Sequence, residues 1–300
     1  MRVSYDVVPR RPFSLARTAA RLARFPELVD RFHDGTYQRL LFVERAPVLM
    51  SVTQGGPPSR ASLRVTLIGE AARAPEAKRD AGNVLDKVLG VSTDVRPFYR
   101  SFGKDPLLGP LIRRHSGLRV AGRVSVWETL LQIVLSQQIN LALAHSILSD
   151  LVASYGRRAR FDGEHYYAPP TTRRFSKLTV NELREHRLSG SKARTLLGLA
   201  KAFEAGDLSE AKVEGMDDES AVELLTSFKG VGRWTAEFTL LRGLSRLDVF
   251  PAGDLGVVKY LPQRLLGRDE PASEDEMRRF ASRWRPFRGL ALIYAYAELG

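Results

Sequence analysis

Cysteine is absent from all 300 residues, which excludes disulfides, zinc–thiolate sites, thiolate-held iron–sulfur clusters and cysteine nucleophiles. Histidine is sparse: the five present form neither an HxH nor an HxxxH pair, so no transition-metal site is expected. His115, His145, His165 and His186 carry no recognisable chemistry. No stretch approaches the ~20 uncharged apolar residues of a membrane span. The opening MRVSYDVVPRRPF has no apolar signal core, so the expectation is a cytoplasmic protein, nucleoid-associated in a bacterium, with no membrane partner. Tandem repeats and low-complexity tracts are missing as well.

Positive charge is what the chain has in excess. Lys and Arg number 46 against 34 Asp and Glu, a net +12, and the surplus runs along the whole chain rather than sitting in a tail. A folded basic surface attracts polyanions through counterion release. An arginine-rich genome or a thermophile's surface gives the same excess, so charge alone leaves these readings open. With 44% hydrophobic residues, the length suffices for two modest domains.

The patterning changes near residue 105. Residues 1–105 read as a small mixed α/β domain. It has a strand over Val3–Val8, helical spacing over Ser14–Phe25, and β-rich runs at Tyr37–Glu44, Val48–Thr53 and Ser62–Ile68. A turn falls at Gly55–Pro58 and a covering helix over Glu76–Leu89. Residues 106–300 read as all-helical. The spacing predicts helices over Pro106–His115, Val126–Leu135, Leu141–Tyr155, Val180–Glu185 and Lys192–Ala205, then over Asp218–Phe228, Trp234–Leu241, Asp254–Leu265, Glu274–Trp284 and Leu290–Leu299. The longest connection, Gly156–Leu178, reads as a loop. The expected fold class is α+β.

One segment is more informative than the rest: Leu224–Ala236, LLTSFKGVGRWTA. An apolar helix runs into Gly230-Val231-Gly232, and a second helix begins at once. Two glycines around one apolar residue permit a tight hairpin with positive φ angles and close approach of another backbone. Amides there, beside a helix N-terminus, suit a DNA phosphate, while Val231 would plug the hairpin into the core. A plain interhelical turn also reads GxG, so the flanks decide. Twenty residues past Trp234 stands Asp254, in FPAGDLGV.

FKGVGRWTA followed by an aspartate at this distance resembles the helix-hairpin-helix DNA glycosylase superfamily, and within it 3-methyladenine DNA glycosylase II. The likeness extends to FYRSFGKDPLLGPLIRRHSGLRV, LLQIVLSQQINLALA, GLSRLDVFPAGDLGV and ASRWRPFRGLALIYAYAELG, nearly the whole chain. It implies a monomeric base-excision repair enzyme whose partner is double-stranded DNA with damaged, alkylated bases. The family's catalytic aspartate falls on Asp254, where a fixed carboxylate stabilises an oxocarbenium-like sugar and helps activate water. Asp254 also suits the N-cap of the helix that follows, and the two roles are compatible. Members that also nick the strand carry a lysine where Trp234 stands here; without that amine no Schiff base forms, which implies a glycosylase without lyase action.

The expected base pocket is Trp234, with Phe238 one helical turn on and on the same side, and Phe287, which the resemblance adds at a position where the family more often has Trp. A cationic alkylated purine is attracted to an indole face, although aromatics at helical spacing also serve ordinary core packing. Gln138 is the implied wedge that fills the gap left by a flipped base; a solvated interhelical turn is the alternative. Gly230, Val231, Gly232, Arg233 and Lys192 are the implied DNA contacts. Arg113, Arg114, Arg157, Arg158, Arg173, Arg174 and Arg194 are further phosphate candidates, each also readable as a surface charge. Main-chain oxygens of Phe228, Gly230 and Val231 are the implied ligands of a structural Na+ or K+, and no other cofactor is implied. The competing readings are a glycosylase for uracil, hypoxanthine or oxidised guanine, and a non-catalytic damaged-DNA-binding protein.

If phosphates dominate the contacts, affinity for duplex DNA falls at least about tenfold between about 50 and 200 mM salt. Fluorescence anisotropy titrations across that range check this, and a flat salt response would speak against a phosphate grip.

Overall fold

The structure is a computed structural model and describes residues 1–22, 28–267 and 269–298, with 264–266 described by backbone alone. Five antiparallel strands form one sheet: β1 (Arg2–Val7), β2 (Asp30–His33), β3 (Thr36–Val43), β4 (Ala46–Gly55) and β5 (Ser62–Ile68), in the order β1-β5-β4-β3-β2. The short helix α1 (Leu15–Ala19) lies between β1 and β2, and α2 (Pro75–Lys87) follows β5. The helical spacing expected over Ser14–Phe25 is thus realised as one short helix, and residues 23–27 lie outside the described residues.

The helical region opens with α3 (Arg96–Phe102), α4 (Leu108–Arg114), α5 (Val126–Ser136) and α6 (Leu141–Tyr155). A two-stranded hairpin, β6 (Arg157–Phe161) and β7 (Glu164–Ala168), follows. Then come α7 (Thr172–Phe175), α8 (Val180–Glu185), α9 (Gly190–Ala205), α10 (Glu210–Glu214), α11 (Asp218–Thr226) and α12 (Arg233–Gly243). A π-helical turn over Gly256–Tyr260 leads into α13 (Leu261–Leu266), α14 (Glu274–Ala281) and α15 (Arg288–Tyr296). Most starts are set by side-chain caps. Ser125, Asn140, Ser189 and Asp217 each accept a first-turn amide, and Thr179 forms a capping box with Glu182.

Two expectations are corrected here. The region after residue 105 is not all-helical, because the presumed loop Gly156–Leu178 contains β6, β7 and α7. That hairpin is held by packing rather than by its own propensity. Tyr166 and Ala168 bury against Leu40 and Leu49 on the outer face of the large sheet, the Arg157 guanidinium lies 3.7 Å from the Phe42 ring centroid, and Arg31 donates to the His165 carbonyl. The helix expected over Asp254–Leu265 is also not uniform, since it starts as a π turn and becomes α-helical only at Leu261, with Pro262 in its first turn.

Both faces of the sheet are therefore covered. Odd-numbered β3 residues Tyr37, Leu41 and Val43, with Val48, Met50 and Val52 of β4, face the core shared with α2. Even-numbered Leu40 faces the β6–β7 hairpin, as the two-residue period of a strand requires. Helix α3 packs away from the sheet: Phe98 meets Tyr294 at 5.2 Å between centroids, and the Tyr99 and Tyr294 hydroxyls are 2.6 Å apart. Residues 95–102 thus share a core with α15, although they precede position 105.

Sheet and helices are joined by buried charge. Asp30, fully buried, accepts from Arg39 at 2.8 Å, from Tyr37 and from Arg123. Arg39 also grips both oxygens of Glu128 on α5 at 2.7 Å, and Arg123 reaches Gln132 of the same helix at 2.9 Å. A second joint is Arg119, whose guanidinium has no carboxylate partner among the described residues. It donates to the carbonyls of Gly90, Gly117, Leu118, Arg10 and Pro12 over 2.6–3.3 Å.

Burial would raise the Asp30 carboxyl, but the charges of Arg39 and Arg123 and the Tyr37 hydrogen bond outweigh it and hold it below the ordinary carboxylate range. The contribution is present above the unfolded value of about 4 and is lost as pH falls toward the folded one. Asp30→Asn keeps the shape and leaves two buried guanidiniums underpaired, so it should cost about 3–5 kcal/mol at neutral pH. Urea titration reads this, with the deficit narrowing toward acid; a loss below about 1 kcal/mol would assign the joint to apolar packing instead.

Candidate nucleic-acid interface and active site

The hairpin joins α11 to α12 through Ser227–Gly232. Gly230 has φ +89°, and a Cβ there would fall 2.0 Å from Thr195 Oγ1 of α9, so the turn is pressed against that helix. Gly232 differs from the expected positive φ: it is extended, at φ −91°, and a Cβ added there would meet nothing within 4 Å. Its place is the N-cap of α12, which has no side-chain cap. The first-turn amides of an 11-residue helix are thus left facing an open, side-chain-free position, as an anion site requires. Val231 is buried between the helices, and its N–H closes the turn on the Phe228 carbonyl at 3.0 Å.

Helix α12 lies between two cores. Ala236 and Leu240 pack with α5, α9 and α11, while Leu241 packs with α15 and the segment that carries Asp254. This shared helix brings Trp234 to Asp254, and the indole Nε1 donates to Oδ1 at 2.8 Å. Oδ2 accepts from the Gly256 amide at 3.0 Å and from the Tyr296 hydroxyl at the end of α15. Asp254 also accepts Val258 N–H through its carbonyl at 2.9 Å, so it starts the π turn as well as presenting its carboxylate. All three donors to that carboxylate are uncharged.

The other expected residues divide. Phe238 is buried and meets Trp234 edge-on, 5.3 Å between centroids. Phe287 is half-buried and packs on Phe98 at 5.8 Å, among the α3 and α15 aromatics rather than on the Trp234–Phe238 pair. Gln138 lies at the tip of the α5–α6 loop in the left-handed region, φ +54°.

Three of the expected contacts already have partners within the protein. The Arg233 guanidinium is held by both oxygens of Glu219 at 2.7 Å and by Glu237 at 3.0 Å, so its charge is already answered. The Lys192 ammonium turns inward and donates to the Leu135 carbonyl at 2.7 Å, capping α5 instead of facing solvent; desolvation lowers it from the ordinary lysine range. The Gly230 carbonyl, expected to bind a monovalent cation, accepts from Gln137 Nε2 at 3.0 Å, and that of Phe228 accepts from Val231. Each of these oxygens keeps a second lone pair for a cation. Among the described residues, no group of three His, Asp or Glu could hold a metal through side chains.

Several contributors escaped the sequence. Gln137 bridges the α5–α6 loop to the hairpin, through Gly230 O and Thr235 Oγ1 at 2.9 Å. Glu237, nearly buried, takes Arg233 and Arg278, and Arg278 also touches the Phe250 carbonyl at 3.3 Å ahead of Asp254. Burial raises the Glu237 carboxyl despite these arginines. An acidic residue on an otherwise apolar helix face, four after Arg233, was the available signal. Lys229, exposed and adjacent to Gly230 in the chain, is a second cation at the hairpin.

Residues 131–286 match the HhH-GPD superfamily, base excision DNA repair proteins. The chain is 31% identical over 209 residues to a DNA-3-methyladenine glycosylase of Bacillus subtilis, covering 70% of this chain and 69% of that one. It is 32% identical over 193 residues to DNA-3-methyladenine glycosylase 2 of Escherichia coli, 64% of each. The matched stretch thus spans about two thirds of these relatives' lengths. The fold superposes on 3-methyladenine DNA-glycosylase from Archaeoglobus fulgidus with a TM-score of 0.83 and 25% identity, over 98% of both chains.

The two glycines predict opposite phenotypes. Gly230→Ala forces a strained φ and a clash with Thr195, so thermal melts should record a loss of about 2–4 kcal/mol. Gly232→Ala should leave stability within about 1 kcal/mol but weaken duplex binding, because its Cβ occupies the space a phosphate needs. Equal binding by the Gly232 variant would remove the α12 N-terminus from the DNA contact.

Proposed function

The chain belongs to the HhH-GPD superfamily of base excision DNA repair proteins, and from that premise we propose that it excises alkylated bases from double-stranded DNA as a monofunctional glycosylase. The substrate class is the purine alkylated in the manner of 3-methyladenine or 7-methylguanine, and the product is an abasic site. A monomer suffices, since every residue invoked comes from one chain. The observation that carries the reading is the Asp254 carboxylate. It is fixed by three uncharged donors, one of them on Trp234, two residues beyond the hairpin glycine that caps α12.

The hairpin amides and the first turn of α12 hold a backbone phosphate, with Lys229 adding charge. The damaged nucleotide leaves the stack, and Gln138 enters the space it vacates. A positively charged alkylated purine meets the electron-rich indole of Trp234, backed edge-on by Phe238. As the C1′–N bond breaks, its electron pair departs with the base and cationic character grows on the sugar. Among the described residues no guanidinium or ammonium bonds the Asp254 carboxylate, so its negative charge stays available to that cation. Water adds at C1′ and its proton is released. Trp234 offers no amine to attack C1′, so no covalent sugar intermediate forms and the strand stays intact.

Asp254→Asn keeps the shape and removes the charge. Duplex affinity should hold, while single-turnover excision falls at least about a hundredfold. A panel of single-lesion duplexes measured alongside should be cut fastest at 7-methylguanine or 3-methyladenine, with no borohydride-trapped adduct. Undiminished turnover in the variant, or cleavage of uracil or hypoxanthine with alkylated duplex untouched, would defeat the proposal.

A further inference from the structure

Tyr296 ends α15, 42 residues beyond Asp254 in the chain. Its ring packs against the core formed by α3, α14 and α15, while its hydroxyl leaves that core to donate to Oδ2 of Asp254. Directly beneath lies Gly256: a Cβ at that position would come 2.7 Å from Tyr296 Oη and 2.9 Å from Asp254 Oδ2. Phenol, carboxylate oxygen and glycine backbone are thus stacked with no room for a side chain between them. Oδ1 has one donor, Trp234, and Oδ2 has two, the Gly256 amide and Tyr296.

We propose that Tyr296 is a positioning residue for base excision, its hydroxyl locking Oδ2 of Asp254 so that the carboxylate meets the departing sugar in one orientation. This rests on the assignment of Asp254 to the chemistry above. Three donors on three different elements leave the carboxylate one direction in which to present its charge, which suits a group that stabilises a cation at a fixed place. Burial, then the neighbouring Asp254 charge, pushes the Tyr296 phenol well above the ordinary tyrosine range. It stays a donor at any working pH. The other charges facing the phenol are Arg21 and Arg242, which oppose that shift only in part. Neither Phe nor any apolar residue could replace the hydroxyl's function, though Phe preserves the ring's packing.

The test is Tyr296→Phe in the whole chain, assayed on whichever alkylated duplex is cut fastest. The single-turnover rate should fall about ten- to a hundredfold, with duplex affinity and melting temperature little changed. The loss should sit in the single-turnover rate and not in the half-saturating duplex concentration, a split that a general loss of structure would not give. Loss of rate together with melting temperature and duplex affinity would mean a merely structural tyrosine and overturn the proposal; so would an unchanged rate. Gly256→Ala serves as the second variant, because its Cβ would press on both Tyr296 Oη and Asp254 Oδ2 and so part the phenol from the carboxylate. It should reproduce the slower rate, and a wild-type rate there counts against the lock even if Y296F fails to fold. Asp254→Asn, run in parallel, separates the two claims: if that variant still turns over normally, the functional reading fails first.

Discussion

The hydrogen bond from the Trp234 indole to Asp254 fixes the distance between the two halves of the site. Trp234 is the second residue of α12, the helix whose uncapped N-terminus follows the glycine hairpin. Asp254 stands on a separate segment packed against α15. Without this contact, the hairpin and the carboxylate would be two features on neighbouring elements. With it, the proposed phosphate site and the proposed catalytic charge are held at a fixed separation. The core supports the same geometry, because Val231 and Ala236 bury on one side of α12 and Leu241 on the other.

Three carboxylates illustrate how the protein treats negative charge. Asp30 is sealed in and neutralised by Arg39 and Arg123, and Glu237 by Arg233 and Arg278. Both tie elements together, and in both the charge is answered where it stands. Asp254 is given uncharged hydrogen-bond donors instead. It is as firmly oriented as the others while retaining its field, which separates a carboxylate that builds the fold from one available to a transient positive charge.

Local signals made much of this legible in the sequence. The helices over Leu141–Tyr155 and Val180–Glu185 begin at capping residues and fall where apolar spacing put them. The glycine hairpin and the later aspartate were visible because the chemistry sits in short runs of backbone-permissive or charged residues. What stayed hidden was set at long range. The β6–β7 hairpin carries Arg157, Arg158 and Arg160, which mask its two-residue period, and it exists because the sheet's outer face needed covering. Arg233 and Lys192 looked free for phosphate until a carboxylate and a helix C-terminus, each far along the chain or on another turn, claimed them. Tyr296 drew no assignment at all, since nothing nearby in the chain announces a partner so distant.

Arg119 has a bearing on how this protein can be cut down or recombined. Its guanidinium is solvated by backbone carbonyls, two of them, Arg10 and Pro12, supplied by the segment between β1 and α1. Excising the sheet to obtain a stand-alone helical enzyme would leave a full charge facing apolar neighbours with part of its solvation shell gone. A minimal catalytic unit, or a chimaera grafting these helices onto another sheet, thus has to exchange Arg119 for an apolar residue or bring equivalent carbonyls along.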